Sequence, residues 1–305
     1  MFTIVGPSII SERIYALLVF LVCALLIVAL WRKVYQTRPS IKKLWYVPLS
    51  LWLANEVVYH FYPANVLEPT MTAFTLAAIY IGLYIADNNR RVGIQITMAV
   101  LAGLLVFGAT LSKGLVALFP LAFYVLYWVT TRKISLGKAM GLSAVMFAAL
   151  AASYGVILQN DTAETSLLQY FDSQVMASLN GERSYEPHFR SSRFYLVKRT
   201  FEVLIPNFIL VAIILFAAYK SGLNKLYQKQ SARYAILFLS IGLSASLPLA
   251  VSLKQSFYYL LPSMAYFALG LSILIGPAVD FLLAKPMSKK YSYFVSISSP
   301  SILTR

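Results

Sequence analysis

Repeated apolar runs of about 17–20 residues, separated by short basic segments, decide what this chain can fold into. Each run is long enough to cross the roughly 30 Å hydrocarbon core of a bilayer as a helix. In that medium every backbone N–H and C=O must be satisfied inside the segment or within a closed barrel. Barrel strands would be shorter and would alternate apolar with polar residues, which these runs do not do. An all-α polytopic membrane protein is therefore expected. Composition agrees, with 59% hydrophobic and 12% charged residues and a mean hydropathy of +0.71.

Nine transmembrane helices are expected, over about 14–31, 44–62, 71–86, 92–110, 115–129, 139–158, 203–219, 235–252 and 257–274. One long connection, 159–202, separates the sixth from the seventh. Residues 1–285 read as one multi-helix domain, and 286–305 as a tail or the start of a further span. Pro248 and Pro262 fall inside spans as expected kinks. Seventeen of the 26 Lys and Arg fall in alternate loops that include Arg32-Lys33, Arg90-Arg91 and Arg132-Lys133. Those loops are expected on the cytoplasmic side, with the N-terminus and the long loop outside. A net charge of +15 would suggest nucleic acid for a soluble chain. Here it points to anionic membrane lipids instead. The single cysteine, Cys23, excludes an intrachain disulfide and reads as a small core residue.

On this topology several charged and aromatic groups share the outer face: Glu68, Lys113, the Arg190/Arg193/Lys198/Arg199 cluster, and Lys254 followed by Tyr258 and Tyr259. Cations gathered at one interface suit a phosphate, because guanidinium groups bind its oxygens in pairs and an ammonium supplies a point charge. A carboxylate held near them can act as a base. Plainer readings stand beside this one. Lys113 and Lys254 fit snorkelling residues at span ends, and Glu68 fits a helix N-terminus. The basic cluster fits a solvated amphipathic face, and the two tyrosines fit an interfacial aromatic belt. Glu56, placed within a span, is expected to be paired inside the bundle. His60 and His188 lack a zinc spacing, so no cofactor is expected and no residue set argues for a divalent metal.

Four segments, around Glu68 in 65–75, Lys113-Gly114 in 111–120, 174–183 and Lys254 to Pro262, resemble the bacterial relatives of protein O-mannosyltransferases and lipid A aminoarabinose transferases. These are membrane glycosyltransferases of the GT-C fold. The resemblance implies transfer of a sugar from a polyprenyl-phosphate carrier to a lipid, glycan or protein acceptor at the outer, periplasmic face of the cytoplasmic membrane. It implies a catalytic role for Glu68 and donor lipid-phosphate contacts for Lys113, Arg190, Arg193, Lys254, Tyr258 and Tyr259. The chain departs from the family in lacking an early Asp-Glu dipeptide and a Lys-Pro-Pro segment. Truncation at the N-terminus relative to the family is therefore expected, which takes away the expected base. Two rivals remain at this point: a transporter or flippase for an anionic lipid, and a catalytically incomplete carrier-binding fragment.

Overall fold

A computed structural model describes residues 8–64, 66–88, 91–177, 194–223, 229–251 and 255–284. Among these residues every regular element is helical. In chain order they are α1 (Ile9–Val34), α2 (Pro39–Lys42), α3 (Tyr46–Leu53), α4 (Glu56–Phe61), α5 (Glu68–Asp87) and α6 (Val92–Lys113). A 3-10 stretch, Gly114–Ala122, leads into α7 (Phe123–Thr131), followed by α8 (Leu136–Ile157) and α9 (Asp161–Tyr170). Then come α10 (Tyr195–Lys220), α11 (Lys229–Ser246), a 3-10 turn at Phe257–Leu260, and α12 (Leu261–Ala284).

Helix α12 is the axis of the bundle. It carries no charge before Asp280, and residues from Leu261 to Ile273 are buried on every face, as expected for a helix enclosed by others. Glycines let its neighbours approach closely: Gly270 faces Leu239 and the Ala235 carbonyl of α11, and Gly276 faces Tyr35 and Trp31. The Tyr35 hydroxyl donates to the Ile273 carbonyl at 2.9 Å, and Ser40 donates to Asp280 at 3.0 Å, which fixes the connection after α1. Outer helices sort their faces the opposite way. In α1, Cys23, Ile27, Leu30 and Trp31 are buried while Leu17, Leu18, Leu21 and Leu25 are exposed. That much outward-facing leucine suits hydrocarbon rather than water. The architecture is that of an all-α, multi-pass membrane protein, and Cys23 is the buried core residue expected of it.

Seven helical stretches among the described residues are long and apolar enough to cross a bilayer, against nine expected runs. Two local features account for the difference. The run 44–62 breaks at Ala54-Asn55 into the short helices α3 and α4. Asn55 turns its side-chain amide back onto the Leu51 and Trp52 carbonyls and accepts from Asn207, so a buried polar side chain occupies the break. The runs at 92–110 and 115–129 join as one helical stretch, Val92–Thr131, because no residues separate α6 from the 3-10 segment. The path nonetheless reverses at Gly114. Lys113 contacts Glu68 at one end of α5, whereas Tyr127 contacts Asp87 at the other. Those ends lie about 30 Å apart along a 20-residue helix.

Three other expectations change. Glu56 is exposed in the first turn of α4 rather than paired inside the bundle, and its neighbour Asn55 is the buried group. The connection 159–202 carries α9, and α10 begins inside it at Tyr195. Pro262 sits in the first turn of α12, where its missing N–H has no intrahelical partner to lose, so it ends a 3-10 turn rather than kinking a span.

Candidate functional site at the Glu68 end of the bundle

Helix α5 starts abruptly. Its N-cap residue, Leu67, has no side chain to satisfy the first amides, and Pro69 removes one of them. Glu68, in that first turn, places negative charge where the helix dipole favours it. The turn is anchored to α1: Cys23 donates to the Pro69 carbonyl at 3.7 Å, Tyr15 and Thr70 share a hydrogen bond at 2.6 Å, and Arg13 donates to the Pro63 carbonyl at 3.0 Å. The result buries the Glu68 side chain to 1% exposure.

A carboxylate so buried needs a cation. Lys113, the last residue of α6, supplies it, with Nζ at 2.5 Å from Oε1. The Lys113 side chain is 24% exposed, and its ammonium also lies over two rings, 5.3 Å from the centroid of Tyr258 and 4.9 Å from that of Tyr259. Those rings stand edge to face at 4.9 Å in the 3-10 turn Phe257–Leu260. Gln255 ties this turn to α10 by accepting from the Leu196 amide at 2.9 Å. Phe61 packs on Phe257 and Tyr258, closing the side toward α4.

Glu68, Lys113, Tyr258 and Tyr259 therefore meet at one place, brought there by three elements far apart in sequence. Arg190, Arg193 and Lys254 lie outside the described residues. Arg199 is on the first turns of α10, where it pairs with Glu202 at 2.7 Å and stacks over Phe257 at 4.9 Å. Lys198 faces the same glutamate at 3.6 Å. Two participants were not visible in the sequence. One is Gln255, and the other is Tyr170, whose hydroxyl lies against Gly114. No spacing signal connects either to its partner.

Chemically, the site is a neutral ion pair with one spare acceptor. Oε1 is taken by Lys113, while Oε2 is buried without a hydrogen-bond partner among the described residues. Such an orphaned acceptor costs about 1–3 kcal/mol, more when charged, unless a donor arrives. Because Lys113 is already matched by Glu68, a phosphate monoanion beside it calls for a further cation.

Gly114 makes the arrangement possible. Its φ of 73° and ψ of −151° belong to a region that is essentially restricted to glycine, and a Cβ there would collide with the Tyr170 hydroxyl. Gly114→Ala is expected to cost about 1–3 kcal/mol in backbone strain alone. Thermal unfolding in detergent micelles checks this. Adding Tyr170→Ala should relieve the collision but not the strain, and full recovery in the double variant would contradict the backbone argument.

Comparison with protein families, curated proteins and solved structures returns no match to this chain.

Proposed function

We propose that the protein is a membrane glycosyltransferase that moves a sugar from a polyprenyl-phosphate carrier to a lipid, glycan or protein acceptor at the outer face of the cytoplasmic membrane. The observation that supports it best is the buried Glu68 carboxylate, with one oxygen on Lys113 and the other free for a donor, at an end of a membrane bundle. In this reading the acceptor hydroxyl donates to Oε2 and transfers its proton there as its oxygen attacks the anomeric carbon. The bond from that carbon to the phosphate oxygen breaks, and the polyprenyl phosphate leaves with the electron pair. Lys113 shifts from Glu68 toward the departing phosphate as the carboxylate becomes protonated, so one proton transfer frees the cation when negative charge develops. Arg190, Arg193 and Lys254 belong to this proposal as the further cations that the neutral pair calls for. Tyr258 and Tyr259 hold the ammonium over their faces and keep it within reach of both partners.

The finer topology belongs to the same proposal: nine passes, with 92–131 counted as two and the broken α3–α4 run as one, and the Glu68 end outside. A transport pathway calls for charges along the spans facing the bundle interior, and Glu56, the carboxylate within the run 44–62, is exposed instead.

The test is reconstitution of the membrane-purified protein with polyprenyl-phosphate-linked hexose or pentose and measurement of free polyprenyl phosphate. Release is expected, with Glu68→Gln lowering it by about 10²–10⁴-fold. Undiminished release by Glu68→Gln removes Glu68 from the chemistry. Carrier binding without release favours the incomplete, carrier-binding reading, and vesicle uptake without cleavage favours a transporter.

A further inference from the structure

The opposite end of the bundle carries a second polar assembly. Helix α7 ends at Thr131 when Arg132 turns left-handed at φ 57°, and α11 begins at Lys229. Between these ends lies a pocket of about 200 Å³, lined by Thr131, Lys133, Gln230, Arg233 and Tyr234. That is room for about seven waters at about 30 Å³ each. Thr131 and Tyr234 form a buried floor, whereas Lys133 and Gln230 form an exposed rim.

The charge balance of this pocket differs from that of the Glu68 site. Asp87 stands behind two of the lining residues: its Oδ1 accepts from Tyr234 at 2.5 Å and from Lys133 at 3.2 Å, as well as from Tyr127 at 2.6 Å. Arg233 is half-buried and, among the described residues, is held by a bond from Nη1 to the Thr131 carbonyl at 3.1 Å. Among the described residues no carboxylate lies within salt-bridge distance of it. Gln230 and Tyr234 also line an adjoining recess that contains Arg38. Among the described residues at this pocket and recess, the three cations Lys133, Arg233 and Arg38 against the one carboxylate leave a net charge of two. The first turn of α11 adds the positive end of its dipole.

We propose that this pocket binds a phosphate-bearing anion. The guanidinium of Arg233, fixed by Thr131 and without an acidic partner among the described residues, would take two phosphate oxygens, and the Lys133 ammonium and the Gln230 amide would take the others. The chemistry fits either the headgroup of an anionic phospholipid or a soluble phosphate ester. The pocket's depth bears on the choice, because its walls are the ends of two apolar helical runs, where headgroups lie. Nothing in this assignment depends on sugar transfer at the Glu68 end.

The experiment uses delipidated protein in neutral detergent and follows thermal unfolding during separate titrations with phosphatidylglycerol, phosphatidylcholine and glycerol 3-phosphate. Saturable stabilisation by phosphatidylglycerol but not phosphatidylcholine is expected, with about tenfold weaker binding in Arg233→Gln. Arg38→Gln should weaken it in the same direction by less, and carries the test if Arg233→Gln fails to fold. Glycerol 3-phosphate stabilising as well as the lipid keeps the phosphate site and assigns it to a soluble ester. Equal stabilisation by both lipids without a response to glycerol 3-phosphate overturns the proposal. So does phosphatidylglycerol binding that neither arginine variant changes.

Discussion

Lys113→Ala is expected to destabilise the protein by about 3–5 kcal/mol, because it strips the counterion from a carboxylate that is 1% exposed. Glu68→Gln is expected to cost only about 1 kcal/mol, the net worth of one polar interaction. The amide keeps the shape of the carboxyl group, and the orphaned Lys113, already 24% exposed, can turn its ammonium to water while its stem stays packed. The double variant Glu68→Gln/Lys113→Met should recover most of the Lys113 loss, since a neutral, well-packed pair carries no stranded charge. Unfolding by sodium dodecyl sulfate titration from mild micelles, followed by circular dichroism, measures all three. Equal small costs for the two single variants would mean that water screens the pair. The asymmetry also separates structure from chemistry. Glu68→Gln should be the more stable single variant and yet lose sugar transfer, whereas a purely structural pair would show activity tracking stability.

The convergence of Glu68, Lys113, Tyr258 and Tyr259 was legible because membrane topology is a strong constraint. Apolar runs of bilayer length force the chain back and forth, so residues at every second run end share a face whatever their sequence separation. Which of those residues touch is a different question. Lys113 read as a cation facing a phosphate, yet its nearest partner is the carboxylate 45 positions earlier. Only the burial of Glu68 makes that pairing necessary, and burial depends on how α1 and α5 pack. Hydropathy likewise marked 44–62 as apolar but not which of two adjacent polar residues turns inward. Asn55 went in and Glu56 stayed out, because an amide can bond to the freed Leu51 and Trp52 carbonyls at a helix break, whereas a carboxylate has no proton to donate. Asp87 has no sequence signal for a related reason. It stands near Arg90 and Arg91 in the chain, whereas its partners Tyr127, Lys133 and Tyr234 stand 40, 46 and 147 residues away.

Asp87 is where the second large effect is expected. Its side chain is 5% exposed, and one oxygen accepts from two buried tyrosine hydroxyls and an ammonium, joining α5, α7, α11 and the segment after α7. Asp87→Ala removes the shared acceptor, and with each of the two stranded hydroxyls costing about 1–3 kcal/mol a total loss of about 2–6 kcal/mol is expected. Lys133 adds little to that cost, because its ammonium still donates to the Tyr234 hydroxyl at 2.7 Å and its side chain is 39% exposed. Asp87→Asn keeps an acceptor oxygen and loses the charge, so a smaller cost of about 1–2 kcal/mol is expected. The same detergent titration reads both, and an Asp87→Ala protein as stable as the parent would mean that the hydroxyls find water. The asparagine variant further links stability to anion binding. Neutralising Asp87 raises the net charge around the Arg233 pocket from two to three and releases Lys133 toward its rim. Phosphatidylglycerol should therefore bind Asp87→Asn more tightly than the parent even though the variant unfolds more easily. Stability and affinity moving in opposite directions would mark the pocket as an electrostatic site, because general loosening of this end of the bundle would weaken both.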